Sequence, residues 1–359
     1  SALKMPARSR RKPVRTRARR TRREPAWTRL SDEALLDTRF CDLKLSLRNP
    51  TIQRALRNVY AELRRRGIRL RPHVWLSVEW FSPDGIPGIA IPFYMAHPRL
   101  MRLERQIMGE VEGGNANWLM RILRHEVGHA LDNAFRLRRR KGWRKTFGKA
   151  SRPYPDMYRV RPSSRNFVLH LGHWYAQSHP TEDFAETFAV WMQPKARWRR
   201  EYQGWPALNK LEYVDWLMSQ IQGERPLVLN HDYVEPLSDN TRTLREHYRR
   251  KQNRYEFDAP DAYDLRLKRV FGKRQASKRQ LRASAFVRAC RPQLERLLMR
   301  RSRLYPYLGH HVLRTVIQRC RELDLVVDTS KREAKRAVLG VLERIMIDIL
   351  RRDQERYTL

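Results

Sequence analysis

The chain has few cysteines, few acidic residues and no long apolar run, and each shortage narrows what the protein can be. Its three cysteines, Cys41, Cys290 and Cys320, are odd in number and far apart. Cys320 lies on an apolar helical stripe, which favours a buried thiol over a disulfide bridge or a metal ligand. No run of eighteen apolar residues and no apolar signal segment is visible. We therefore expect a cytoplasmic protein, in a reducing compartment and without a membrane span.

Acidic residues are outnumbered two to one by basic ones. The 359 residues include 76 Lys and Arg but only 38 Asp and Glu, a formal net charge of +38. Such a charge attracts polyanions such as nucleic acid, anionic lipid or acidic polypeptide, although a coding bias or a solubility adaptation would also produce it. No zinc-ribbon, RNA-recognition or helix-turn-helix signature accompanies the charge, so any binding to nucleic acid is expected to be nonspecific.

The composition changes along the chain and predicts four regions. Residues 1–30 are Arg-rich and apolar-poor, as in a disordered basic arm. Residues 31–225 hold the motifs considered next and form the predicted main domain. Residues 226–267, rich in Pro, Asp, Asn and Tyr, read as an extended connector that could pack on the main domain. Residues 268–359 read as a small basic helical bundle.

The most informative motif is His125-Glu126-Val127-Gly128-His129. Four residues advance an α-helix by one turn plus about 40°, so both histidines project from the same side of the helix. Two imidazoles so placed can bind Zn²⁺, and Glu126 lies where it can take a proton from an attacking water. Asp132 lies on the same side of the helix as the two histidines. We predict that it supports the metal ligands without binding the metal itself.

A catalytic zinc needs a third protein ligand. The metzincin extension is excluded, because Asp132 and Phe135 stand where it requires Gly and His. A second predicted helix begins near Pro180 and carries Glu182 and Glu186 on one face. Two acids on an otherwise apolar helix are costly to bury without a cation or donors. We therefore predict Glu182 as the ligand and Glu186 as support for a ligand histidine.

These two motifs together resemble a known peptidase group. His125 to Asp132 reads H-E-V-G-H-A-L-D, and Tyr175 to Trp191 reads Y-A-Q-S-H-P-T-E-D-F-A-E-T-F-A-V-W. The pair is similar to the gluzincins of the anthrax lethal factor and Pro-Pro endopeptidase group, and more so to bacterial zinc-binding metallopeptidases, over residues 35 to 220.

The resemblance assigns roles to the motif residues. It implies one zinc per chain held by His125, His129 and Glu182, with Glu126 as general base. It also implies that Tyr175, seven residues before the ligand glutamate, donates a hydrogen bond to the oxyanion, and that Glu186 is the supporting acid. The alternative for Tyr175 is a packed aromatic residue.

Ahead of the first motif, the sequence predicts a helix over residues 50–66 and strands over residues 73–80 and 88–94. Pro92 places the second strand at an edge. The resemblance implies that this edge holds a substrate backbone, but it could equally be a plain sheet edge covered by a loop. The predicted fold is therefore α+β: a zincin-like domain with a small mixed sheet, an edge strand and zinc between two helices, followed by the helical bundle.

Two functional classes remain open. The first is a zinc metallopeptidase acting on acidic or polyanion-associated polypeptides, and it is favoured because a structural zinc site needs no general base. The second is a nucleic-acid- or ribosome-associated basic protein with an inherited, non-catalytic zinc. A latent enzyme whose cleft the arm or the connector fills is a third possibility.

Overall fold

The structure is a computed structural model that describes residues 24–108, 111–155, 161, 164–172, 174–253, 263–274, 280–302 and 306–355. Residues 1 to 23 of the predicted basic arm lie outside this range. The last part of that arm belongs to the fold instead. Trp27, in the 3-10 turn Ala26–Arg29, is buried, and its Nε1 donates a hydrogen bond to the Leu43 carbonyl at 3.0 Å. Buried packing is thus already present before residue 31, the predicted boundary.

The described elements form two groups along the chain. The first contains helices and strands α1 (Asp32–Leu36), α2 (Pro50–Arg65), β1 (His73–Ser77), β2 (Gly88–Pro92), α3 (Pro98–Met108), α4 (Ala116–Phe135), α5 (Lys141–Phe147), α6 (Pro180–Met192), α7 (Trp198–Glu201), α8 (Ala207–Ile221) and α9 (Leu244–Asn253). The second contains α10 (Asp264–Val270), β3 (Gly272–Lys273), α11 (Ala283–Ser302), α12 (Pro306–Glu322), β4 (Leu325–Val326) and α13 (Lys331–Glu355).

Each group has its own hydrophobic core. The first core draws its buried side chains from Trp27 to Tyr248, and the second from Tyr263 to Met346. The segment predicted as an extended connector therefore contributes to the first core, since α9 buries Leu244 and Tyr248 there. Helix α9 is strongly basic, but Leu244 and Tyr248 are four residues apart and lie on the same side of the helix. This pair is enough to give α9 one apolar face.

Helix α2 was predicted over residues 50–66 and spans Pro50–Arg65. The sequence marks both the start of this helix and its buried apolar face. Asn49 accepts a hydrogen bond from the Thr51 N–H at 3.0 Å, and Pro50 occupies the first turn, as is typical of helix starts. Glu62, on the same helix, receives Arg124 through two hydrogen bonds of 2.8 and 2.9 Å. This partly buried bidentate pair joins α2 to α4 one residue before the first motif histidine.

The sheet of the first group is smaller than predicted. Strands β1 and β2 pair in parallel, in register from His73 with Gly88 to Ser77 with Pro92. The described sheet is thus parallel rather than mixed, apart from one antiparallel bridge. In that bridge the Ala90 N–H donates to the Phe81 carbonyl at 2.8 Å, and beside it Ser82 Oγ donates to the Gly88 carbonyl. The edge predicted to hold a substrate backbone is therefore occupied by the chain itself.

The second group is a hairpin of α11 and α12 packed against α10 and α13. Helix α13 starts with a reciprocal cap: Ser330 Oγ accepts from the Glu333 N–H, and the Glu333 carboxylate accepts from the Ser330 N–H. This reciprocal pair is a capping box. Cys320 is buried in this core, and burial raises the pKa of its thiol to about 12.

Among the described residues, no helix is both long and apolar enough to cross a membrane.

Candidate metal centre

Helices α4 and α6 bring the two sequence motifs together. The start of α4 is capped by Asn115, which accepts from the Trp118 N–H at 2.9 Å. The start of α6 is capped by His179, whose Nδ1 accepts from the Thr181 N–H at 3.2 Å, and Pro180 fills the first helical position. Both motifs therefore lie on helices whose starts are fixed locally.

Gly128 allows these two helices to approach closely. A Cβ at this position would lie 3.0 Å from Ala185 Cα and 3.2 Å from Phe188 Cδ1. A larger residue between the two histidines would therefore push α6 away from α4. The close contact brings the carboxylates of α6 within hydrogen-bond distance of the imidazoles of α4.

Three side-chain atoms converge between the helices. Nε2 of His129 lies 3.1 Å from Nε2 of His125 and 3.0 Å from Oε2 of Glu182. His125 Nε2 is also 3.0 Å from the same Glu182 oxygen. All three residues are buried. Among the described residues, they are the one group of three or more His, Cys, Asp or Glu side chains that could hold a metal ion.

Glu186 sets the orientation of one of these histidines. Its Oε1 lies 2.8 Å from Nδ1 of His125, and its Oε2 accepts from the Leu171 N–H at 2.8 Å. A carboxylate can only accept here, so Nδ1 carries a proton, and Nε2 is the nitrogen that faces the centre and can bind a metal once it is deprotonated. Glu186 thus makes the contact that a supporting acid requires.

The charges of the group are strongly coupled. Burial disfavours the imidazolium, but hydrogen bonds to Glu182 and Glu186 raise the pKa of His125 well above its ordinary value. Burial likewise opposes ionisation of Glu182, yet His129 and His125 hold the pKa of this carboxyl well below its usual range. Positive charge is therefore stabilised at the centre of the triangle.

The arrangement fits a zinc ion. Ligands bound to tetrahedral zinc at 2.0–2.2 Å lie about 3.3 Å from one another. The three atoms here are 3.0 to 3.1 Å apart. Two imidazole nitrogens and one carboxylate oxygen are also a donor set typical of catalytic zinc.

This part of the chain matches a zinc metallopeptidase family. Residues 104–197 match the family model described as "Putative zinc-binding metallo-peptidase". The matched segment holds both motif helices but is shorter than the resemblance, which covers residues 35 to 220. No curated protein and no solved structure matches the chain.

Glu126 lies beside the convergent group. Its side chain is buried, and within the described part of the chain its Oε2 has no hydrogen-bond partner. Burial raises the pKa of this carboxyl, while the neighbouring His125 and His129 oppose the rise. A buried carboxylate oxygen without a donor is costly unless a ligand or water receives it. Glu126 can therefore accept a proton from a molecule entering the site.

Tyr175 also lies next to the group. It begins the 3-10 turn Tyr175–Gln177, just before α6, and its ring centre is 5.6 Å from that of His125. The ring is partly buried. This position places Tyr175 at the site.

A second tyrosine at the centre is absent from the sequence predictions. The hydroxyl of Tyr154 donates to Oε1 of Glu182 at 2.8 Å and also contacts Oγ1 of Thr181. Its ring stacks on His179 with centres 3.9 Å apart, and His179 Nε2 lies 2.8 Å from the Arg152 carbonyl. Tyr154 thus engages the Glu182 oxygen that faces away from the histidines. Only its position between Pro153 and Pro155 marks it in the sequence.

Asp132 does not play its predicted part. Its carboxylate accepts from the backbone N–H of Arg138 at 2.8 Å and from Arg138 Nε at 2.6 Å. Neither ligand histidine bonds to it in the described structure. Arg138 follows the left-handed Arg136 at the end of α4, so Asp132 fixes the turn after the helix rather than a ligand.

Proposed function

We propose that the chain is a zinc-dependent peptidase of the gluzincin type. The observation that carries the proposal is the buried convergence of His125, His129 and Glu182 beside Glu126, whose Oε2 has no partner in the described structure. The match of residues 104–197 to a zinc-binding metallopeptidase family supports it. A purely structural zinc site would gain nothing from burying an unpaired carboxylate oxygen next to its ligands.

The chain's own residues supply the acid–base steps. A zinc ion held by the three ligands would act as a Lewis acid toward the scissile carbonyl. Glu126 accepts the proton of the attacking water and returns it to the leaving amine. Tyr175 donates a hydrogen bond to the developing oxyanion, which a preorganised phenol can do without reorientation. Glu186 holds His125 in the tautomer that faces the centre.

The proposed substrate class is inferred from the net charge of the chain and not from the geometry of the metal centre. A net charge of +38 favours acidic polypeptides or polypeptides bound to polyanions, because opposite charge raises the encounter rate. We therefore propose such polypeptides as substrates.

Replacement of the proposed base tests the mechanism. Glu126→Gln keeps the shape of the side chain and cannot accept a proton, so we expect unchanged zinc content and a loss of turnover of about 10²- to 10⁴-fold. The measurement is cleavage of a random peptide library, enriched in Asp and Glu, followed by mass spectrometry for both proteins loaded with zinc. Retained turnover in the variant, or no cleavage by the wild type, would contradict the proposal.

A further inference from the structure

A groove lined by arginine lies where the second group of elements meets the first. It has a volume of about 750 Å³ and is walled by α11 and α12, with Gln106 of α3 at one side. Helix α11 contributes Arg288 and Arg291, and helix α12 contributes Arg314 and Arg321. Positive side chains therefore line both helical walls.

Most of this charge has no acidic partner among the residues that the structure describes. In the described part of the chain, Arg288, Arg314 and Arg321 take part in no ion pair or side-chain hydrogen bond, whereas Arg291 bonds to Glu295 at 2.9 Å. The groove's single acidic residue is already engaged. Glu322 accepts from Gln318 at 2.8 Å and also binds Arg319, which lies outside the groove lining.

The spacing of the arginines suits a repeating anion. Arg314 and Arg321 are seven residues apart, so they lie on one side of α12 about 10 Å from each other. Arg288 and Arg291 are one turn apart on the opposite wall. Arg288, Arg314 and Arg321 have no acidic partner among the described residues, so their charges repel one another, and a ligand carrying several negative charges would relieve that repulsion.

The lining favours phosphate over other anions. The guanidinium group offers a fork of donors that matches a phosphate oxygen pair. Among the described residues that line the groove, Ile317 is the one apolar side chain and none is aromatic. Single-stranded bases would have no stacking platform, and the apolar atoms of an acidic peptide would find little to pack against.

We propose that this groove binds the phosphodiester backbone of double-stranded nucleic acid without reading its sequence. The site is separate from the metal centre, and the inference does not depend on the peptidase activity. It gives the second group of elements a function, namely attachment of the chain to a polyanion by phosphate contacts.

The experiment compares the full chain with two triple variants of equal charge. The groove variant is Arg288→Gln/Arg314→Gln/Arg321→Gln. The control variant is Arg332→Gln/Arg336→Gln/Arg344→Gln, which removes three exposed arginines of α13 outside the groove. Binding of fluorescent 20-base-pair DNA and RNA duplexes is measured by anisotropy between 50 and 300 mM NaCl, with circular dichroism to check folding.

We expect the groove variant to bind on the order of tenfold more weakly, and the slope of log K against log salt to fall in magnitude by about 2 to 3. The control should change both quantities much less. Similar losses with DNA and RNA would indicate the phosphodiester backbone, and a loss with one alone would assign the groove to that duplex.

Two results would overturn the proposal. Equal losses in the groove and control variants would show that only the overall charge matters. Competition by polyglutamate as effective as that by duplex, at equal concentration of charge, would assign the groove to acidic polypeptides.

Discussion

Two glutamates of α6, Glu186 and Glu182, contact the two imidazole nitrogens of His125. Glu186 fixes the protonated nitrogen at 2.8 Å, and Glu182 meets the other nitrogen at 3.0 Å. The proposed ligand set would therefore depend on the contacts that surround it as well as on His125, His129 and Glu182 themselves.

Tyr154 and Tyr175 should separate metal binding from turnover. Tyr154→Phe removes the donor to Glu182 but keeps the ring on His179, so zinc affinity should fall by about 10-fold or more. Tyr175→Phe should leave affinity unchanged and lower kcat. Zinc dissociation constants come from competition with a chelating dye, and kcat from peptide cleavage. Unchanged zinc affinity in Tyr154→Phe would contradict the role of Tyr154 in metal binding. Loss of zinc in Tyr175→Phe would contradict a role of Tyr175 in turnover alone.

His170 should make stability depend on pH. It is buried, with Nε2 2.9 Å from the Arg121 carbonyl, and burial lowers its pKa to about 4. Between pH 6.5 and 4 the unfolded chain binds a proton that the folded chain does not. Acidification therefore favours unfolding, by up to about 3 kcal/mol at pH 4.

His170→Gln keeps a donor to the same carbonyl and removes the titration. Its free energy of unfolding in urea, with chelator present, should fall less between pH 7 and pH 4.5 than that of the wild type. Parallel pH profiles of the two proteins would show that His170 does not titrate in this way.

At the scale of elements, the site depends on the close contact of α4 and α6. Gly128→Val would force a side chain against the Ala185 backbone, so we expect a loss of about 1 to 3 kcal/mol in the free energy of unfolding and weaker zinc binding.

Gly340→Ala is the matched control for that contact. It lies within α13, where a Cβ would meet nothing within 4 Å. It should stabilise the chain by up to about 1 kcal/mol through helix propensity. If Gly128→Val had the same free energy of unfolding as the wild type, the contact at Gly128 would not limit how closely α4 and α6 approach each other.

The two motif helices could be predicted because their information is local. Asn115, Pro180 and the apolar spacing mark the helices, and the donor types mark the site. Tyr154 could not be predicted, since it reaches Glu182 from a loop 28 residues away. The contact of Asp132 with Arg138 was not predicted, because a carboxylate next to a histidine can equally well accept hydrogen bonds from the turn that follows the helix.

At the scale of the whole molecule, composition alone does not show which segments pack into the first core. Trp27 and α9 join the first core although their surroundings are basic and polar. A few buried side chains are enough to fix such segments, and mean composition does not reveal them. The closed edge of β2 likewise depends on Phe81 and Ser82, which a strand pattern alone does not place.

The central claim is that the protein holds one zinc ion through His125, His129 and Glu182. Elemental analysis of the wild type and Glu182→Gln, purified side by side without chelator, tests it most directly. We predict one zinc per chain in the wild type and a clear loss in the variant, because an amide is a weaker ligand than a carboxylate. No zinc in the wild type, or equal zinc in both proteins, would contradict the claim.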